Sequence, residues 1–103
     1  MPRHVSIAPM HPGPMHPGAL LREDILPALG LSRQAFADAL GTSRNTLQRL
    51  LREESSVTAE MALRLGKVCG NGPTLWMKLQ AAYDLHAARS RIDLDALATL
   101  EPV

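Results

Sequence analysis

Residues 32–52 read Ser-Arg-Gln-Ala-Phe-Ala-Asp-Ala-Leu-Gly-Thr-Ser-Arg-Asn-Thr-Leu-Gln-Arg-Leu-Leu-Arg, and this stretch decides the fold. Ser32 has the side chain of an N-cap. From Arg33 to Leu40 the apolar residues Phe36, Ala37 and Leu40 fall on one helical face, and Gly41 can take the positive φ that ends a helix. Only Thr42 and Ser43 separate this helix from the next. Ser43 caps that second helix, which runs to about Arg52 and turns Leu47, Leu50 and Leu51 inward. Arg44, Asn45, Gln48, Arg49 and Arg52 then share the opposite, polar face.

Two short helices joined by a glycine-bearing turn let one helix brace against a DNA backbone while the other enters the major groove. The arrangement needs a small residue where the helices cross, a glycine in the turn and an aliphatic residue locking the second helix onto the first. Ala37, Gly41 and Leu47 supply them. Arg can donate two hydrogen bonds to guanine, and Asn or Gln can both donate to and accept from adenine, so Arg44, Asn45, Gln48 and Arg49 form a base-reading set. Arg33, Gln34, Ser43 and Arg52 at the edges suit phosphate oxygens, which add affinity without sequence preference. Residues 33–52 hold four arginines against Asp38 alone, so an anionic partner belongs here although the whole chain carries only +1.

Working outward, Pro17 opens a first helix to Ala28 that faces Leu21 and Ile25 inward, with Pro27 distorting its last turn before Gly30. Residues 1–16, rich in Pro and His, are expected to form a disordered tail. Met10-His11-Pro12-Gly13 nearly repeats as Met15-His16-Pro17-Gly18, the second copy running into the first helix. Beyond the helix pair, Thr58 caps a fourth helix with Met61, Ala62, Leu65 and Cys69 inward and Glu60, Arg64 and Lys67 outward. Pro73 opens a fifth, whose inward stripe is Leu75, Trp76, Leu79, Ala82, Tyr83 and His86. Asp93 caps a possible short sixth helix from Ile92 to Leu100. The domain is therefore 17–89, followed by a tail over 90–103. Trp76 is assigned to the core, and the leftover apolar residues from Leu85 to Leu100 to a dimer interface.

With 103 residues, 46% hydrophobic but 3% aromatic, the chain has room for one all-α domain with an aliphatic core. One cysteine, Cys69, cannot form an internal disulfide and is expected to be a buried, inert thiol. His4, His11 and His16 have irregular spacing and no cysteine or carboxylate partner, so they read as a solvated tail rather than a metal site. No phosphate-cradling glycine loop, His-Glu-x-x-His or framed nucleophile occurs, so neither an enzyme nor a cofactor is expected. No apolar run suggests a signal peptide or membrane span, and the cytoplasm of a prokaryote is the expected location.

The blocks His16-Pro17-Gly18, Leu21-Arg22-Glu23, Leu29-Gly30-Leu31-Ser32, Ala39-Leu40-Gly41, Ser43-Arg44-Asn45-Thr46, Thr58-Ala59-Glu60-Met61-Ala62-Leu63-Arg64-Leu65, and Pro73, Trp76, Leu79-Gln80, Tyr83-Asp84-Leu85 also form a pattern. It resembles the HigA-type antitoxins, also called addiction-module antidote or VapI-like proteins, of the XRE or lambda-repressor-like helix-turn-helix superfamily. The resemblance covers about residues 15–86, and the Thr-Ala-Glu-Met-Ala-Leu-Arg-Leu and Pro-x-x-Trp-x-x-Leu-Gln blocks lie outside the generic motif. It implies a lambda-repressor-like five-helix domain, a homodimer on double-stranded operator DNA, repression of its own operon, and neutralisation of a RelE-like messenger-RNA-cleaving toxin. One departure stands out. Where relatives commonly carry a Gly/Lys/Arg-containing loop after the recognition helix, this chain has Glu53-Glu54-Ser55-Ser56, and two acids near phosphates oppose binding. Two rival readings follow, an orphan regulator without a toxin and an interaction module that has lost DNA binding.

Overall fold

The computed structural model describes residues 13–102, in which five helices and no strand surround one apolar core. Helix α1 covers residues 17–29 as Pro17–Leu20, a π turn over Leu21–Ile25, and Leu26–Leu29. Pro27 has no N–H for the Glu23 carbonyl and its ring crowds that group, which accounts for the widened turn just before it. Gly30, at φ +67°, ends the helix. Helices α2 (Arg33–Leu40) and α3 (Arg44–Leu51) follow, then α4 (Ala59–Cys69), α5 (Pro73–Arg89) and a single 3₁₀ turn at Leu94–Ala96.

Helices α2, α3 and α4 start where their caps place them. Ser32 Oγ accepts from the Ala35 N–H at 3.0 Å, Ser43 Oγ from the Thr46 N–H at 3.0 Å, and Thr58 Oγ1 from the Met61 N–H at 3.1 Å. The core joins Leu21 and Leu26 of α1, Phe36, Ala37 and Leu40 of α2, Leu47, Leu50 and Leu51 of α3, Met61, Ala62 and Leu65 of α4, and Trp76 of α5, with Val57 from the loop. Trp76 is fully buried, as the sequence predicts, and its indole N–H donates to Asn71 Oδ1 at 2.9 Å.

Four expectations need correction. The tail expected over 1–16 lies mostly outside the described residues, but His16 is only 4% exposed and belongs to the domain. Its Nδ1 accepts from the Gly18 N–H at 2.9 Å, and its ring meets Tyr83 edge-on at 4.9 Å, so it is neither solvated nor placed in a tail.

On α5, Leu75, Ala82 and His86 are exposed, and the inward stripe is Trp76, Leu79, Gln80 and Tyr83. Gln80 is buried because its Oε1 accepts from the Val57 N–H at 2.8 Å, a backbone donor the core would otherwise strand. Arg64 turns inward, where its Nη1 donates to the Leu40 and Gly41 carbonyls at 2.9 and 3.1 Å. The sixth helix shrinks to the 3₁₀ turn, since its apolar residues find nothing in the domain to cover them; Leu97 and Leu100 remain 63% and 87% exposed.

Cys69 is half-buried, and burial pushes its thiol up, favouring the unreactive protonated form.

Candidate nucleic-acid interface

The pair α2–α3 is fixed from both sides. Ala37 and Leu47 are fully buried at the crossing. Gly41 takes φ +70°, with its N–H bonded to the Asp38 carbonyl and the Thr42 N–H to the Ala37 carbonyl, a Schellman ending that sets the angle of the turn. Arg64 adds a charged donor to the same carbonyl end, bracing the turn from α4 while Glu60 Oε2 holds its other nitrogen at 2.8 Å. Sequence periodicity could not reveal this role, because a long side chain on the flank of a helix reads as solvent-facing.

Arg44, Asn45, Arg49 and Arg52 are exposed, and Leu47, Leu50 and Leu51 of the same helix are buried. The polar face therefore stands clear of the domain, with Arg44 and Asn45 in its first turn. Gln48 is half-buried, and its Oε1 accepts a hydrogen bond from Arg33 Nη1. Gln34 is exposed, and its amide donates to Asp38 Oδ1 at 2.9 Å, leaving it one further amide proton. Ser43 Oγ lies 2.9 Å from Thr46 Oγ1 and shares a hydroxyl hydrogen bond with it besides capping α3. Ser55, Ser56 and Thr58, none of them assigned to the interface from sequence, line a hollow with Thr46 and Arg49 beside the exposed face.

The loop after α3 explains the fate of the acids. Glu53 sits at φ +63°, the only non-glycine left-handed residue among those described. The Glu53 N–H bonds the Leu50 carbonyl and the Glu54 N–H bonds the Arg49 carbonyl, a second Schellman ending with glutamate where glycine is usual. Arg22 clamps this corner, donating Nη1 to the Leu51 carbonyl at 2.7 Å and to Glu53 Oε2 at 3.1 Å. Its bonds to Glu23 and then Glu53 hold the guanidinium above its ordinary pKa. The Glu53 carboxylate is thus paired, and its opposition to phosphate is partly offset.

Glu53→Gly is expected to raise stability by about 0.5 kcal/mol. It relieves a left-handed strain of about 1 kcal/mol and gives up an exposed ion pair of about 0.5 kcal/mol. Urea unfolding checks this, and a loss of stability would mean that the Arg22 clamp outweighs the strain.

His16 is packed between α1, the 53–55 loop and α5. Burial lowers its pKa from 6.5, against the opposing influence of Glu53, the Ser55 backbone and Asp84. Because Nδ1 accepts from Gly18, the neutral ring carries its proton on Nε2. Below pH 6.5 the unfolded chain takes up a proton that the folded ring resists. The stability due to neutral His16 is therefore complete above that pH and is lost as pH falls beneath it. Unfolding midpoints measured across this range are expected to drop on acidification, and to drop less in His16→Asn, which keeps a cap acceptor without a titratable ring.

Comparison with known proteins places this geometry. The helix-turn-helix family model matches residues 21–76. Virulence-associated protein I of Dichelobacter nodosus is 42% identical over 71 residues, covering 69% of this chain and 66% of that protein, just under two thirds of its length. Antitoxin HigA-1 of Vibrio cholerae is 34% identical over 83 residues, covering 81% of this chain and 78% of the relative. Among solved structures, Pseudomonas aeruginosa antitoxin HigA with higBA promoter superposes with a TM-score of 0.76 at 34% identity, covering 87% of this chain and 98% of that one.

Proposed function

Because the chain belongs to the helix-turn-helix family, in its HigA-type antitoxin branch, we propose that it is a DNA-binding antitoxin that represses its own operon and neutralises a RelE-like messenger-RNA-cleaving toxin. The observation that carries this reading is the recognition helix: four exposed polar side chains, Arg44, Asn45, Arg49 and Arg52, on a helix locked by buried leucines onto a braced partner. Arg44, Asn45, Gln48 and Arg49 meet base edges, and Arg33, Gln34 and Arg52 meet phosphates. Ser43, exposed at the start of α3, caps that helix through its acceptor and turns its hydroxyl proton to a phosphate.

The protein works as a homodimer in the bacterial cytoplasm, binding a palindrome with one recognition helix per half-site. The exposed apolar residues Leu85, Ile92, Leu94, Leu97 and Leu100 favour a dimer seam at the C-terminal end, where the domain leaves them uncovered.

Salt dependence tests the phosphate contacts. Anisotropy titrations on the upstream operon DNA between ~50 and ~200 mM salt are expected to show affinity falling steeply, with Arg52→Ala reducing the log–log slope by about one per subunit. Affinity that ignores salt would contradict the proposal.

A further inference from the structure

We propose that Arg33 orients the Gln48 amide so that its NH₂ donors dominate, and Gln48 selects guanine rather than adenine; the inference rests on the reading of α3 as the base-contacting helix. Arg33 opens α2 and Gln48 lies in the middle of α3, fifteen positions on, and the two side chains meet in a partly buried hydrogen bond. A guanidinium carries five donors and no acceptor, so whichever half of the Gln48 amide faces it must be the oxygen. The orientation of the amide thus follows from chemistry as well as from geometry. The NH₂ group is left wholly free for the DNA.

Recognition of adenine by glutamine needs the amide oxygen for N6–H and the amide nitrogen for N7. Oε1 keeps a second lone pair, but the Arg33 cation seated on it repels the N6–H₂ donor and fixes the amide plane, so that half of the pairing is weakened. Guanine presents two acceptors, O6 and N7, side by side, and these match two amide protons. The adjacent Arg33 charge favours the same electronegative edge. Arg33 is therefore more than a phosphate contact; it is the residue through which α2 dictates what α3 reads.

Selection from a random duplex library by the full chain, run with wild type, Gln48→Ala, Arg33→Met and Arg33→Lys, tests the proposal. Gln48→Ala identifies the position that Gln48 reads, as the one whose preference it erases. At that position wild type is expected to enrich guanine by roughly ten-fold. Arg33→Met frees Oε1 and shifts the choice toward adenine, while Arg33→Lys, still a pure donor, keeps guanine. Thermal unfolding establishes that each variant is folded. Adenine at this position with wild type, or guanine unchanged in Arg33→Met with affinity merely lower for every sequence, overturns the inference and leaves the base-reading role of α3 intact. A wild type that enriches no position at all overturns that role itself, and the inference with it.

Discussion

Gly18→Ala is expected to cost about 3 kcal/mol of stability and to weaken DNA binding even where the chain remains folded. A methyl group on Gly18 would lie 1.8 Å from the Leu50 carbonyl oxygen and 2.9 Å from its carbon. Both are backbone atoms of α3, so no side chain can swing aside to make room. The Leu50 carbonyl also accepts the Glu53 N–H that closes α3, and moving it disturbs the ending of that helix.

Relief requires α1 and α3 to separate, which opens the core around the fully buried Leu21, Leu47 and Leu50. Gly30→Ala is the control. At φ +67° with nothing within 4 Å of its added methyl, it should cost only about 1 kcal/mol from backbone strain. Urea unfolding of the pair distinguishes the two origins, and equal losses would show that the approach of α1 to α3 is not tight.

Trp76→Ala should be the more severe change, lowering stability by about 4 kcal/mol. The side chain is fully buried and is the largest in the core. Its removal leaves a void between α4 and α5 and deprives Asn71 Oδ1 of its indole donor. Against a total stability of about 5–15 kcal/mol for a domain of this kind, such a loss would leave a substantial unfolded fraction near body temperature. Trp76→Phe, which keeps most of the volume and gives up the hydrogen bond, should lose less than half as much. A Trp76→Ala variant that melts close to wild type would mean that the indole packs against a partner rather than in this core.

How much of this was legible in the residues depends on the distance over which each feature is determined. Ser32, Ser43 and Thr58 act within three residues of themselves, so the caps and helix starts can be read directly. The same holds for the Leu47, Leu50 and Leu51 face, which depends on period alone. His16 was misread because its partners, Tyr83 and the 53–55 loop, lie far along the chain, and a His-Pro-Gly segment next to a proline-rich run carries no local sign of burial. Gln80 escaped for a related reason: a buried polar residue is explained only by the Val57 N–H that it satisfies.

The candidate interface divides in the same way. That Arg44, Asn45 and Arg49 are presented outward follows from helical period. The pairing of Arg33 with Gln48 spans two helices and needs their crossing angle. The acids at 53 and 54, which suggested a module that had lost DNA binding, weigh less once Arg22 is found to hold Glu53.

The central claim is that α3 reads DNA, and the most direct test is an anisotropy titration of the full chain. Wild type, Arg44→Ala and Asn45→Ala are each titrated on the chain's own upstream promoter DNA and on an unrelated duplex of equal length. Wild type is expected to prefer its promoter by about a thousand-fold or more. Each variant, still folded by its melting curve, should lose at least about ten-fold of that preference. Equal binding of wild type to both duplexes, or an unchanged preference in both variants, would contradict the assignment of α3 as the recognition helix.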